Sequence, residues 1–292
     1  MEQKFKKIGL FGKYGKSEVA DDILRLAKYL TAKKREVILE KSTAELLGRS
    51  DFRHASIETI GDQIDLIIVI GGDGTLLNVA RALADYEVPL LGINLGRLGF
   101  LTDISASSMT DELEKILDGD YETEKRSMLH AEVMRSGKIV HTSRALNDVV
   151  VNKGELARLI EFETFIDGEF VNSMRADGIV VSTPTGSTAY ALSAGGPILQ
   201  PALPAIGLVP ICPHTLSDRP IMVSDSCVIE IVMTELGNQR AYLTFDGQAS
   251  ISLQDHDHIY VRRMDIPIQL IHPSGRNHYS VLRAKLHWGE KI

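Results

Sequence analysis

The stretch Leu66-Ile67-Ile68-Val69-Ile70-Gly71-Gly72-Asp73-Gly74-Thr75 decides the fold of the first half of the chain. Five consecutive aliphatic residues predict a fully buried strand, and the helical spacing over Thr75 to Leu83 predicts the helix that follows. Ligands of open α/β sheets bind at such carboxyl ends of strands. The glycines let a backbone approach a phosphate, and helix amides favour negative charge. Gly71, Gly72, Gly74 and Thr75 are therefore predicted phosphate contacts.

Asp73 stands in the middle of this turn, where a carboxylate would repel a phosphate unless it has a task of its own. Two chemical tasks fit, namely holding Mg²⁺ or taking a proton from a hydroxyl group that attacks the γ-phosphate. A structural task also fits, because aspartate is common as a helix cap. The position alone leaves these alternatives open.

Outward from this stretch, residues 1–125 alternate short apolar strands with helices. Right-handed crossovers between such strands give a parallel sheet, so we predict a Rossmann-like N-terminal α/β domain over 1–125. Ser17 is the predicted N-cap of the first helix. The predicted elements are strands at Lys7 to Phe11, Val37 to Glu40 and Val88 to Asn94, and helices over Val19 to Leu30 and Thr110 to Asp118.

After Arg126 the pattern changes to short strands joined by turn dipeptides such as Asp167-Gly168 and Asp246-Gly247, which is typical of β-hairpins. We predict an all-β, β-sandwich-like domain over 126–272, and a C-terminal tail over 273–292 that packs back on the N-terminal domain. The predicted strands are Ala145 to Asn152, Leu159 to Ile166, Glu169 to Val171, Gly178 to Ser182, Val228 to Met233, Ala241 to Phe245 and Ile259 to Arg262.

Composition excludes several classes of protein. The 292 residues carry 32 Lys and Arg against 39 Asp and Glu, and this net charge of −7 argues against a nucleic-acid or anionic-membrane binder. No apolar run reaches the ~18–20 residues of a membrane helix, and the N-terminus is predicted as a strand rather than a signal peptide. Cys212 and Cys227 have no disulfide or metal-ligand spacing and are expected to be buried. The expected location is cytoplasmic.

Two nucleotide-binding patterns fail by their spacing. Gly15-Lys16-Ser17 would need a glycine where Leu10 stands to form a Walker A loop. The glycines at 92, 96 and 99 likewise miss the dinucleotide pattern of a Rossmann dehydrogenase.

A second informative stretch is Ser182-Thr183-Pro184-Thr185-Gly186-Ser187-Thr188-Ala189-Tyr190-Ala191-Leu192-Ser193-Ala194-Gly195-Gly196-Pro197. One hydroxyl is enough to cap a helix, so this many hydroxyl groups indicate that some bond a base edge or an amide of a ligand.

Together the two stretches resemble the NAD kinase family, whose marks are a GGDG turn and a TPTGSTAYxLSAGGP segment. The resemblance is closest to its bacterial, ATP-using branch and extends along almost the whole chain. Further matching segments are Asn94 to Leu101, Glu124-Lys125-Arg126, Asn147-Asp148, Asp177-Gly178, Pro213 to Leu216 and Arg219-Pro220. The resemblance implies a transferase that phosphorylates the 2′-hydroxyl of the adenosine ribose of NAD, converting NAD and ATP into NADP and ADP with Mg²⁺.

The same resemblance implies roles for individual residues. Asp73 would be the catalytic base, no dedicated metal site is expected, and the chain would assemble as a homodimer or homotetramer. The implied NAD-binding residues are Asp73, Gly74, Asn147, Asp148, Arg158, Arg175, Asp177, Thr188, Ala189, Tyr190, Ser193 and Gln248. Arg175 is expected to favour NAD over NADH, either by its shape or by pairing with an acid such as Asp148 or Asp177.

Other interpretations stay open at this point. Asn147-Asp148 could be a strand-edge bulge, and Asp246-Gly247 could be only a type I′ turn. A lipid or sugar kinase could share the GGDG turn, and a binding protein for NAD or NADP could have lost turnover. The sequence leaves open the choice between NAD and NADH, the use of polyphosphate, and allosteric control by NADPH or NADH.

Overall fold

In the computed structural model, which describes residues 4–12, 18–48, 51–96, 99–154, 158–234, 236 and 240–288, the chain divides into two compact units. The first unit comprises residues 1–125 and 268–292, and the second comprises 126–267. The helices are α1 Glu18–Ala32, α2 Lys41–Leu47, α3 Ile57–Ile60, α4 Asp73–Ala82, α5 Met109–Leu117, α6 Tyr190–Ser193 and α7 His278–Leu286.

The strands confirm the alternation in the first part and the hairpins in the second. They are β1 Lys7–Gly12, β2 Glu36–Glu40, β3 Arg53–Ala55, β4 Leu66–Ile70, β5 Leu90–Asn94, β6 Ile104–Ser105, β7 Tyr121–Arg126, β8 Leu129–Arg135, β9 Lys138–Ala145, β10 Asp148–Lys153, β11 Ile160–Ile166, β12 Glu169–Ala176, β13 Gly178–Ser182, β14 Ala205–Ile211, β15 Ile221–Ser224, β16 Ile229–Met233, β17 Ala241–Phe245, β18 Ala249–Leu253, β19 His258–Arg263 and β20 Ile268–Pro273.

The sheet of the first unit has the strand order β3-β2-β1-β4-β5-β20-β7, with β6 beside β5. Strands β1 to β6 pair in parallel, which confirms the predicted α/β architecture. After β1, the strands β2 and β3 are added on one side of the sheet, whereas β4 and β5 are added on the other side. The direction in which strands are added therefore reverses between β1 and β4. The turn at residues 71–74 leaves β4 at this switch point, where open α/β sheets bind ligands.

The core of the first unit forms between the sheet and one face of each long helix. In α1 the buried side chains recur at helical spacing, with Val19, Ile23, Leu26, Ala27 and Leu30 all almost fully enclosed. They pack with aliphatic residues of β1 and β4. The predicted N-cap Ser17, the Gly15-Lys16-Ser17 loop, and Arg97 and Leu98 of the matching segment lie outside the described residues.

The second unit consists of two antiparallel sheets, with the strand orders β15-β14-β13-β10-β17-β18 and β12-β11-β16-β19-β8-β9. Inward-facing residues of both sheets form one hydrophobic core. This arrangement confirms the predicted β-sandwich-like domain. The hairpin turns at Asp167-Gly168 and Asp246-Gly247 both have positive φ at each residue, as type I′ turns require.

Several predicted details differ from the structure. The limit predicted at residue 272 differs from the unit boundary at Pro267, because β20 pairs with β5 and joins the first sheet. The single strand predicted over Ala145 to Asn152 is interrupted between β9 and β10. Cys212 is exposed, at a positive φ, and Cys227 is partly exposed, so the expectation that both are buried is wrong. No helix in the described part of the chain is long and apolar enough to cross a membrane.

Candidate active site

The GGDG turn connects the buried strand β4 to α4. Gly71 continues the sheet, because its N–H donates to the carbonyl of Ile93 at 2.9 Å. A Cβ atom on Gly71 would lie 2.6 Å from the Oγ1 of Thr75, so this position needs glycine. A Cβ on Gly72 would meet nothing within 4 Å. The fold therefore explains the first glycine, and the second borders open space that a ligand can approach.

The carboxylate of Asp73 does not cap its own helix, since Gly72 occupies the N-cap position. It accepts hydrogen bonds from a loop 27 to 29 residues further along the chain. Oδ1 accepts from the backbone N–H groups of Leu101 and Thr102, both at 3.1 Å, and from the Thr102 hydroxyl at 3.0 Å. Oδ2 accepts from the N–H of Phe100 at 2.8 Å. We call residues 99–102 the Asp73 cradle.

The two oxygens of Asp73 are thus unequally used by the cradle. A carboxylate has about four lone-pair sites, two on each oxygen. Among the residues that the structure describes, three donors bind Oδ1, which is more than its share, whereas one N–H binds Oδ2 and leaves it a lone pair. Oδ2 is therefore the oxygen that is placed to accept a proton from a ligand hydroxyl group.

Gly99 makes the close approach of the cradle possible. A Cβ at this position would lie 2.1 Å from Oδ1 of Asp73 and 2.3 Å from Oγ1 of Thr102. Thr102 is in turn held by Asn94, whose Nδ2 lies 3.0 Å from the Thr102 hydroxyl. The matching segment Asn94 to Leu101 therefore serves, through Asn94 and Gly99, to build the surroundings of Asp73.

A second aspartate, Asp246 at the end of β17, has a similar cradle in the second unit. Its Oδ1 accepts from the N–H groups of Asn147 at 2.7 Å and Asp148 at 3.2 Å, and its Oδ2 accepts from the N–H of Leu146 at 3.1 Å. These bonds hold the residues at which the chain passes from β9 in one sheet to β10 in the other, which is where the predicted long strand is broken. The sequence pattern identified Asp246 only as part of a turn and missed this role.

Asp148 begins β10 and is almost fully buried. Burial raises the pKa of its carboxyl to about 7, and the negative charge of Asp246 acts in the same direction. Near neutral pH this group can therefore donate or accept a hydrogen bond. Asn147, beside it, is partly exposed.

Most hydroxyl groups of the second stretch form hydrogen bonds within the protein, either inside the stretch or to neighbouring segments. Thr183 donates to the Leu146 carbonyl at 2.6 Å, and Ser187 donates to the Pro184 carbonyl at 2.6 Å and accepts from the N–H of Leu199. Arg126 donates to the buried hydroxyl of Thr185 at 3.2 Å. These buried hydroxyl groups therefore serve the fold, and they are not among the predicted ligand contacts of this stretch.

Gly186 explains why this stretch can fold against residue 147. A Cβ at Gly186 would lie 2.1 Å from the carbonyl oxygen of Asn147. The predicted contacts that are reachable by solvent follow this point or lie on the β17–β18 hairpin: Thr188, Ala189, Tyr190, Ser193 and Gln248.

Two of the predicted NAD contacts, Asp177 and Arg175, lie away from this group. Asp177 forms an ion pair with Lys153 at 2.5 Å, at the end of β10 and β13 opposite to Asp148. Five residues of strand separate Lys153 from Asp148, or about 16 Å. Arg175 lies 3.8 Å from Glu161, so its predicted pairing with Asp148 or Asp177 is wrong. Arg158 is exposed.

Among the residues that the structure describes, no group of three or more His, Cys, Asp and Glu side chains is placed to hold a metal ion. The Asp255 to His258 tract contributes instead to local structure. Asp257, fully buried, pairs with Arg135 at 2.8 Å, and His258 lies 2.7 Å from Glu230.

Comparison with known proteins gives a consistent result over both units. Residues 8–121 match the family described as ATP-NAD kinase N-terminal domain, and residues 146–273 match the ATP-NAD kinase C-terminal domain. The NAD kinase of Azoarcus sp. (strain BH72) is 50% identical over 289 residues, which are 99% of this chain and 98% of the relative.

Two solved structures share the fold. The yeast NADH kinase complexed with NADH superimposes with a TM-score of 0.88 at 25% identity, covering 99% of this chain and 92% of that one. An NAD kinase from Archaeoglobus fulgidus in complex with ATP superimposes with a TM-score of 0.74 at 27% identity, covering 96% of this chain and 98% of that one.

Proposed function

The chain belongs to the NAD kinase family and phosphorylates NAD with ATP to give NADP and ADP, and from this premise we propose that Asp73 is the base that activates the 2′-hydroxyl of the adenosine ribose. The observation that carries this proposal is the unequal use of the two Asp73 oxygens by the cradle. Oδ2 keeps a lone pair that can accept the hydroxyl proton while the oxygen of the ribose attacks the γ-phosphorus of ATP.

Phosphoryl transfer needs alignment and neutralisation of charge more than covalent help from the protein. The 71–75 turn is the proposed ATP phosphate contact, with Gly72 and Gly74 allowing approach and Thr75 offering a hydroxyl. Gly71 supports the turn from within the sheet, because its N–H is already donated to Ile93.

Mg²⁺ is the proposed metal. Mg²⁺ keeps several waters and binds largely through substrate phosphates, so the open turn fits the ion without a dedicated set of protein carboxylates and leaves Oδ2 of Asp73 for the hydroxyl proton. When bound with ATP, the ion supplies charge neutralisation at the phosphates.

The second unit supplies the proposed dinucleotide contacts. Asn147 offers a partly exposed amide, and the Asp148 carboxyl, with its pKa of about 7, can bond a ribose hydroxyl as donor or acceptor. Thr188, Ala189, Tyr190, Ser193 and Gln248 add accessible polar and aromatic surface near the same strand ends.

Arg158, Arg175 and Asp177 are proposed to contact the dinucleotide in an assembly of several copies. In the proposed homodimer or homotetramer, Asp177, about 16 Å from Asp148 along the strands, contributes to the dinucleotide site of a second copy. The oligomeric state and the cytoplasmic location stay predictions.

The direct test is an assay of the purified chain with NAD, ATP and Mg²⁺, in which NADP is measured by an NADP-specific dehydrogenase. We expect NADP formation that depends on ATP and is abolished by chelation of the metal. Parallel reactions with NADH and with polyphosphate decide which dinucleotide and which phosphoryl donor are used. NAD binding without NADP formation would contradict the proposal and indicate a sensor.

A further inference from the structure

A buried charged cluster lies directly behind the Asp73 cradle in the first unit. It contains Asp103, the residue after the cradle, together with Glu124, His272 and Arg276. The side chains of Asp103 and Arg276 are each only 9% exposed, and that of His272 is 3% exposed. His272 joins the cluster through its Nδ1, which lies 2.9 Å from Oδ2 of Asp103.

Arg276 makes the most contacts in this cluster. Its Nη2 donates to the carbonyl oxygen of Phe100 at 2.8 Å, and its Nη1 donates to Oε2 of Glu124 at 3.0 Å. Its Nε lies 2.5 Å from Oδ2 of Asp103. One guanidinium therefore holds Phe100 at the start of the segment and Asp103 at its end.

The same segment supplies the donors to Asp73. Phe100, whose carbonyl oxygen binds Arg276, gives its N–H to Oδ2 of Asp73. Leu101 and Thr102 lie between the two points that Arg276 holds. A second contact from the C-terminal helix reaches the same residue, since the Lys285 ammonium lies 5.8 Å from the centre of the Phe100 ring.

We propose that Arg276 is a positioning residue for phosphoryl transfer, which acts by holding the Phe100 peptide so that Oδ2 of Asp73 faces the substrate hydroxyl. The inference rests on the proposed role of Asp73 and extends the catalytic apparatus to the C-terminal segment that follows β20. The planar guanidinium suits this task because its fork of donors reaches a carbonyl and two carboxylates together. A lysine ammonium carries the charge but not this geometry.

A purely structural role for Arg276 makes a different prediction. Loss of a buried ion pair destabilises a fold and lowers the amount of active enzyme. Under a purely structural role, substitution of Arg276 would lower turnover whether or not Asp73 is present. A residue that acts through Asp73 lowers turnover only while Asp73 is there to be positioned.

The experiment measures kcat, the KM values for NAD and ATP, and the folded fraction for Arg276→Ala and Arg276→Lys, each in the wild-type and the Asp73→Asn background. Arg283→Ala is the matched control, because Arg283 is an exposed arginine on α7, the helix that follows Arg276. We expect Arg276→Ala to lower kcat by about 10- to 100-fold per folded enzyme, with both KM values unchanged. The kcat of Arg276→Lys should lie between those of wild type and Arg276→Ala, and the kcat of Arg283→Ala should match that of wild type.

In the Asp73→Asn background, Arg276→Ala should cause no further loss of the residual turnover. Added guanidinium ion at low concentration should partly restore kcat of Arg276→Ala. Equal losses in both backgrounds, or an unchanged kcat in both Arg276 variants, would overturn the inference. If Asp73→Asn itself retains full turnover, the proposed role of Asp73 fails first, and the two failures are thereby distinguished.

Discussion

Two aspartates, one in each unit, are held in the same way and differ in their neighbours. Asp73 and Asp246 each accept hydrogen bonds from three consecutive backbone N–H groups. At Asp73 the fourth donor is the hydroxyl of Thr102. At Asp246 the neighbour is a second, buried acid, Asp148, whose pKa is raised to about 7.

The difference shows how one arrangement serves two purposes. Around Asp73 the donors fix the orientation of the carboxylate and occupy Oδ1 more fully than Oδ2, which suits a base that acts through Oδ2. Around Asp246 the bonds shape the backbone at residues 146–148 and place Asp148 where its ionised form is costly. The first site is therefore proposed for chemistry, and the second for recognition. The following predictions test this contrast.

The largest expected effect is on stability at Asp148. Because the folded chain holds this proton up to a pH of about 7 and the unfolded chain releases it near pH 4, the free energy of unfolding should fall as the pH rises through this window. Over this window the free energy of unfolding should fall by about 4 kcal/mol. Asp148→Asn should remove this pH dependence, so that the variant is more stable than wild type at pH 8 and similar to it at pH 4.

Urea unfolding at pH 4, 6 and 8 measures this difference. Asp177→Asn is a suitable control, because Asp177 is paired with Lys153, and its loss should lower stability at pH 8 by no more than about 1 kcal/mol. Parallel pH profiles of wild type and Asp148→Asn would contradict the assignment of a raised pKa to Asp148.

The next effect concerns the glycine of the Asp73 cradle. Gly99→Ala should lower the free energy of unfolding by about 3 kcal/mol, the upper range for overpacking, because the new Cβ would collide with Asp73 and Thr102. Turnover should fall as well. Gly72→Ala is the steric control, since its Cβ meets nothing, and its stability should stay within about 1 kcal/mol of wild type. Equal stabilities of the two variants would show that the cradle is looser than described.

A smaller effect is expected at Asn147. Asn147→Ala should weaken NAD binding by about 1–3 kcal/mol, because a bound polar group loses its partner, and should leave ATP binding unchanged. Isothermal titration calorimetry with each nucleotide measures both affinities. A similar loss of affinity for NAD and ATP would mean that Asn147 has only a structural role, as one of the N–H donors to Asp246.

The smallest effect on stability is expected at Arg175. Arg175→Gln should change the free energy of unfolding by less than about 1 kcal/mol, because its ion pair with Glu161 is exposed. Because Arg175 does not pair with Asp148 or Asp177, its proposed preference for NAD rests on the shape of its side chain. On that hypothesis the ratio of kcat/KM for NADH to that for NAD should rise by up to about tenfold, which corresponds to ~1.4 kcal/mol. An unchanged ratio would remove Arg175 from the proposed dinucleotide site.

The local pattern of the sequence predicted the parts of the fold that depend on neighbouring residues. The aliphatic run of β4, the helix after it and the Asp-Gly hairpin turns all follow from periodicity and turn chemistry. Strand β14 escaped prediction because Pro210 lies within it, and a proline usually argues against a strand.

Contacts between distant segments could not be predicted in this way. The bonds from Phe100, Leu101 and Thr102 to Asp73 span 27 or more residues, and those from 146–148 to Asp246 span about a hundred. The local sequence around Asp73 or Asp246 does not show whether the carboxylate caps a helix or accepts hydrogen bonds from a distant segment. The sequence identified the hydroxyl-rich stretch correctly as unusual, but burial decides which hydroxyls fold it and which remain accessible.

The most direct test of the account is the turnover of Asp73→Asn, measured together with its affinity for NAD. The substitution nearly preserves size and keeps one oxygen to accept from the cradle, but it removes the proton acceptor. We predict that kcat for NADP formation falls by at least ~10²-fold, the usual scale for a lost general base, while the Kd for NAD is unchanged. Full turnover in a folded Asp73→Asn variant would contradict the account and would show that the Asp73 cradle has only a structural role.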